Sequence, residues 1–106
     1  MLWHIVRFRF PDHVAEADRR ALEASLADLE AQIDEVRYLA VGRDLDDPWV
    51  TGLVTAFDDE AALAVYRDHP AHVPVVGRAR ELCEEIHRLD IVADGPPGGL
   101  APGTTG

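Results

Sequence analysis

The sequence predicts an α+β fold of the ferredoxin-like kind, βαββαβ, with a four-stranded antiparallel sheet and the second helical segment split in two. Three observations carry this. Residues 2–10 alternate with period two, as a half-buried strand does. Leu22, Leu26, Leu29 and Ile33 recur at spacings of four, three and four, as one face of a helix does. The elements then run strand, helix, strand, strand, helix pair, strand, so two crossovers place every helix on one face of the sheet.

The first strand sends Leu2, His4, Val6, Phe8 and Phe10 one way and Trp3, Ile5, Arg7 and Arg9 the other. The His4 face is the more apolar and is expected to meet the helices. Pro11-Asp12 ends the strand. The first helix is expected from Glu16 to Ile33, with Arg19 and Glu23 as an i,i+4 pair on its exposed side. Val36–Arg43 reads as the second strand, with Val36, Tyr38 and Ala40 on one side and Arg37, Leu39 and Val41 on the other. Asp46-Asp47-Pro48 is turn chemistry, and Trp49–Phe57, rich in Val and Thr, is the third strand.

Asp58-Asp59 can cap a helix running from Glu60 to Arg67, and His69-Pro70 ends it, because a residue before proline avoids the helical region. Another helix starts near Val73 with Pro74 in its first turn. Its expected buried stripe is Val76, Ala79, Cys83 and Ile86, with His72 one turn upstream on the same line. His87–Ala93 is the last strand. Residues 1–94 thus form one expected domain, and the Gly/Pro-rich segment 95–106 a disordered tail. The sheet face away from the helices, with Trp3, Ile5, Leu39 and Val41 assigned to it, is costly to leave in water, so two copies are expected to pack sheet against sheet.

Composition narrows the partners. The chain has 106 residues, suited to one domain. Acidic residues outnumber basic ones 20 to 10, a balance that repels nucleic-acid phosphates and anionic membranes. The single cysteine, Cys83, excludes an internal disulfide and reads as core. The start, Met1-Leu2-Trp3-His4-Ile5, lacks a basic, apolar leader, and no run reaches membrane-spanning length; a soluble cytoplasmic protein is the expectation.

The catalytic inventory is concentrated in Tyr66-Arg67-Asp68-His69-Pro70-Ala71-His72, one phenol and two imidazoles within seven residues. Histidine titrates near neutrality, and a phenol can donate to a developing oxyanion. His72 sits at a helix start, whose positive end disfavours imidazolium and keeps a basic ring neutral. His4 enters the same space from the first strand. These side chains either do proton chemistry or pin the turn by bonding backbone groups. His69 reads as a turn residue, and no metal is expected from the His69–His72 pair, given the intervening proline and the lack of a nearby cysteine. Arg7 and Arg9 are expected to pair with acids across a subunit interface.

Three stretches carry a resemblance to a known family: Trp3-His4-Ile5-Val6-Arg7-Phe8-Arg9-Phe10, Val41-Gly42-Arg43-Asp44, and Tyr66-x-x-His69-Pro70-Ala71-His72. Together they resemble the stress-responsive A/B-barrel (Dabb) family of the dimeric α/β-barrel superfamily, from about Leu2 to Ala93. The resemblance implies a homodimeric barrel. Among its members, polyketide cyclases of the olivetolic acid cyclase type close a ring by intramolecular aldol condensation without a cofactor. Carried over, His72 is the base, Tyr66 the oxyanion donor and His4 an orienting or binding group. Val6, Phe8, Leu22, Leu26, Thr51 and Val76 then line the pocket for a small hydrophobic or aromatic polyketide. Thr51 stands where the plant enzyme has a further histidine, and Leu22 and Leu26 where its first helix has aromatics. A non-catalytic stress-responsive or ligand-binding barrel and a small oxygenase are the alternatives that the resemblance allows.

Overall fold

The alternation of the first strand sets up the sheet. In the computed structural model, which describes residues 1–94, it forms β1 (Leu2–Arg9). There follow α1 (Glu16–Gln32), β2 (Tyr38–Arg43), β3 (Val50–Phe57), α2 (Glu60–Asp68), α3 (Val73–Leu82) and β4 (Glu85–Val92). The expected tail, 95–106, lies outside the described residues. The sheet order is β2-β3-β1-β4, antiparallel throughout, as the ferredoxin-like arrangement requires.

Register fixes which side chains share a face. His4 lies between Thr55 and Asp90, with Leu39 beyond Thr55. Trp3 lies between Ala56 and Ile91, with Tyr38 beyond Ala56. The His4 row faces the helices and the Trp3 row faces away. This corrects the second strand. Leu39 and Val41, expected on the open face, pack against the core, while Tyr38 and Ala40 take the open side. The cause is Val36. It is buried, but in the turn after α1, where its N–H bonds the Ile33 carbonyl at 3.2 Å. It lies outside the strand and says nothing about which way Tyr38 and Ala40 point. On the open face Trp3 and Tyr38 meet edge to face, 6.0 Å between centroids, over Ala56, which is small enough to let them.

The stripe of α1 buries Leu22, Leu26 and Leu29, with Ile33 at the C-cap. Arg19 extends the same line by three residues and is buried too, at 1% exposure. The expected i,i+4 pair with Glu23 forms, at 3.7 Å, but in the interior and not on the exposed side. Its guanidinium lies 4.7 Å from the Phe10 ring centre, donates to the Pro48 carbonyl at 2.5 Å and to Thr51 Oγ1 at 3.0 Å. Thr51 donates in turn to Glu23 at 2.7 Å, and Glu23 accepts from Arg43 at 2.9 Å. A buried guanidinium is tolerable because its donors are met and the aromatic face covers it. The network ties α1 to β3.

At the other end of the sheet, Asp59 caps α2 by accepting the Ala62 N–H at 2.9 Å. Helix α3 stops at Leu82, so its predicted stripe is cut short. Val76 and Ala79 belong to it, Cys83 is the C-cap, and Ile86 lies on β4 at 38% exposure. The chain extends at Cys83 because the Glu84 N–H bonds the Arg9 carbonyl at 2.9 Å and recruits the segment into the sheet. Arg7 and Arg9, expected to pair across subunits, find acids within the chain: Arg9 meets Asp47 and Glu84, and Arg7 lies 3.8 Å from Glu85.

Arg19→Ala strands Thr51 and removes bonds to a buried charge, so it should cost about 2–4 kcal/mol of stability. Arg20→Ala, one residue along on the exposed side, should leave the urea midpoint unchanged. Equal midpoints for the two variants would show that the buried guanidinium does not secure α1.

Candidate active site between sheet and helices

A half-buried strand delivers every second side chain to one space, and two short helices close over it. The result is a cavity of about 680 Å³, within the range of small-molecule sites. Strand β1 contributes His4, Val6 and Phe8; α2 contributes Leu63, Tyr66 and Arg67; the α2–α3 turn contributes His72. Of the residues that sequence assigns to the site, His4, Tyr66, His72, Val6, Phe8, Leu26 and Val76 all line this cavity. Leu22 and Thr51 do not. Leu22 is absorbed into the core at 1% exposure, and Thr51 is buried under Arg19 with its hydroxyl committed to the α1 network.

Tyr66 is placed by α2, three residues after Leu63 on the helix's buried side. Its ring packs against Phe57 at 4.9 Å and against the His72 ring at 4.2 Å, with His4 6.0 Å away. Its hydroxyl is buried and has no hydrogen-bond partner among the described residues. Leaving such a group unmet costs about 1–3 kcal/mol. Burial pushes its pKa up to about 12, so at neutral pH it remains a donor.

His72 is held from below. Its Nδ1 lies 3.0 Å from the Arg67 carbonyl. A carbonyl only accepts, so Nδ1 carries the proton and Nε2 is left with its lone pair. Its pKa is lowered, first by burial, against the raising influence of that carbonyl, with a smaller lowering from the neighbouring basic groups, the Arg67 guanidinium among them. The direction is the one expected from sequence, a shift toward the neutral ring, but its first cause is burial and not the helix end. His72 is the N-cap residue of α3 but makes no side-chain cap bond. The turn itself is fastened by His69, whose Nδ1 accepts the Ala71 N–H at 3.0 Å and whose carbonyl accepts the His72 and Val73 N–H groups.

His4 has a partner that sequence reading missed. Asp90, its neighbour across the β1–β4 ladder, bonds His4 Nδ1. The carboxylate accepts the Nδ1–H proton and so orients the ring, with Nε2 turned to the cavity side of the bond. The available signal was the inward alternation of the last strand, which puts Ile86, Arg88 and Asp90 on one side once its register against β1 is known.

Cys83 lines the cavity with its thiol pushed up to about 11 by burial, which keeps it protonated and unreactive at neutral pH. Among the described residues, no three His, Cys, Asp or Glu side chains gather as a metal site needs, and no helix is long and apolar enough to cross a membrane.

The sheet, its covering helices and this cavity define a ferredoxin-like α+β protein of the A/B-barrel class. The chain belongs to the Stress Responsive A/B Barrel Domain family, whose model matches residues 2–93. It is similar to a dimeric ferredoxin-like protein of unknown function from Thermobifida fusca, at 24% identity over 87% of this chain and 90% of that one, with a TM-score of 0.77. A dimeric protein of unknown function and ferredoxin-like fold from Bacteroides fragilis shares 25% identity over 85% and 93%, TM-score 0.72. The hydroxynitrile lyase of Passiflora edulis shares 18% over 88% and 93%, TM-score 0.79. No curated protein matches the chain in sequence.

The His72 assignment has a pH signature. Its pKa lies below the ordinary value of about 6.5 that the unfolded chain keeps. The unfolded state therefore binds more protons as pH falls below that value. The stability contribution is full above about pH 6.5 and is lost as pH falls through the depressed folded pKa. Urea unfolding between pH 5 and 7.5 should show an acid-side slope that is shallower in His72→Gln. Identical slopes would mean that His72 is not held neutral.

Proposed function

We propose that this protein is a cofactor-independent, polyketide cyclase-like enzyme that closes a ring by an intramolecular aldol-type reaction in the β1–α2–α3 cavity. The observation that carries this reading is the buried Tyr66 hydroxyl, left without a partner on a ring that packs 4.2 Å from the His72 imidazole, whose Nδ1 is bonded to the Arg67 carbonyl. A base and a spare donor in one apolar space suit enolisation. His72 Nε2 takes the proton alpha to a carbonyl, and Tyr66 donates to the enolate oxygen, then to the alkoxide formed when the new carbon–carbon bond closes. His72 returns its proton to that oxygen or to the leaving water. His4, held by Asp90, binds or orients the substrate carbonyl. Val6, Phe8, Leu26 and Val76 provide an apolar wall for a folded polyketide chain. The existence of a hydroxynitrile lyase on the same fold supports an enzymatic use of the scaffold.

The second reading, a non-catalytic ligand-binding barrel, draws on the bond between His72 Nδ1 and the Arg67 carbonyl, which also pins the turn.

The working form is proposed to be a homodimer. Trp3, Ile5, Tyr38, Val54, Leu89 and Ile91 share the sheet face away from the helices, and Leu89 and Ile91 are 57% and 40% exposed. A second copy of the same face is the simplest cover, and the Thermobifida and Bacteroides proteins of this fold are dimeric.

Two tests follow. With a linear poly-β-keto thioester, cyclised product should form above the spontaneous rate. His72→Ala should lower turnover by about 10²–10⁴ and Tyr66→Phe by about 10²–10³. Because the Tyr66 hydroxyl is unpartnered, Tyr66→Phe should melt no lower than the parent. A phenylalanine variant that melts lower would make the phenol structural and favour the ligand-binding reading. Separately, Leu89→Glu with Ile91→Glu should sediment as a monomer; a dimer that survives both charges would place the interface elsewhere.

A further inference from the structure

The chain has ten arginines, no lysine and twenty acids, so acids are plentiful around every cation. Among the described residues, every arginine except Arg67, Arg80 and Arg88 lies in an ion pair with a carboxylate. These three come from α2, α3 and β4, three separate elements, and all three line the same cavity. Two carboxylates also stand at its edge. Glu84 is drawn to Arg9 at 3.4 Å, and Glu85 lies 3.8 Å from Arg7, on the sheet face away from the helices. Asp90 is occupied by His4. The positive charge at the cavity mouth is therefore left over in a molecule whose net charge is -10.

We infer that the mouth of this cavity binds an anionic oxygen group of the ligand, a carboxylate or a phosphate, through Arg67, Arg80 and Arg88. This rests on the cavity being the ligand site proposed above, and adds the ligand's charge. A protein of net negative charge repels an anionic ligand at long range. Three unpaired guanidiniums reverse the field locally, and their planar forks match carboxylate and phosphate oxygens. The cavity is thus divided, with a cationic mouth and an apolar interior over Val6, Phe8 and Leu26 that leads to Tyr66 and the two imidazoles. Arg67 belongs to both parts. It lines the cavity with an exposed side chain free of any carboxylate partner among the described residues, while its carbonyl accepts the His72 Nδ1 proton and sets which nitrogen is basic. An anion held there registers the far end of the ligand against the base.

The test is calorimetric binding with the full chain, using 2,4-dihydroxybenzoate, its neutral methyl ester, and coenzyme A as a phosphate-bearing probe. The comparison protein carries Arg67→Gln, Arg80→Gln and Arg88→Gln together; all three side chains are exposed, so the fold is kept, and unchanged ester affinity confirms it. The acid should bind at least about tenfold more tightly than the ester, an advantage that shrinks with salt and disappears in the triple variant. Arginine-dependent binding of coenzyme A without such binding of the benzoate would support the site with phosphate as the ligand group. Equal affinity for acid and ester with no arginine-dependent coenzyme A binding, or anion binding unchanged in the triple variant, overturns the inference and leaves the cyclase reading standing. Failure of all three probes to bind overturns both.

Discussion

Every side chain of the sheet takes its face from the pleat of β1. Antiparallel pairing transmits that choice sideways: Thr55 and Leu39 inherit the inner face from His4 in one direction, and Asp90 inherits it in the other. A slip of one residue in either ladder would turn His4 or Asp90 to the wrong side and expose Phe8 and Val6 together. Burying Leu2, Val6 and Phe8 under α1 therefore holds the register, and the register holds the imidazole. Packing and chemistry are maintained by the same strand.

Within the cavity the protons are arranged by acceptors that cannot donate. A backbone carbonyl holds Nδ1–H of His72, and a carboxylate holds Nδ1–H of His4. The neutral His72 ring is thereby left with a lone pair at Nε2. Between the two rings stands a phenol with a proton and no recipient. Burial reinforces the division by keeping the His72 ring neutral and the phenol protonated. A lone pair and a free donor on neighbouring rings, in apolar walls, are complementary to a carbonyl compound that must gain and lose protons on different atoms.

The parts of this arrangement that sequence made legible are those set by local rules. Helix α1 and strand β1 show their periods openly, and the Tyr66–His72 turn gathers its side chains within one short segment. What stayed hidden depends on distant partners. Asp90 is 86 residues from His4 and meets it only through ladder register. Arg19 lies on the leucine line, but a charged residue reads as surface until Phe10, Pro48 and Thr51 arrive to receive it. Val36 misled because burial and strand membership are separate properties: it is buried by the turn after α1 and not by the sheet. The ending of α3 was missed because the pull on Glu84 comes from Arg9, on another strand.

Strand β4 is exposed along its whole length and pairs with β1 alone. An edge held by one ladder is the first part of a sheet to open. Yet it carries Asp90 and Arg88, so the orientation of His4 and part of the cavity mouth depend on an exposed edge strand. In the proposed dimer, Leu89 and Ile91 on its other face would be covered by the second copy. Association would then act as a cofactor does: the site's protonation pattern would be completed by mass action, and dilution would dismantle it while the rest of the fold stayed intact.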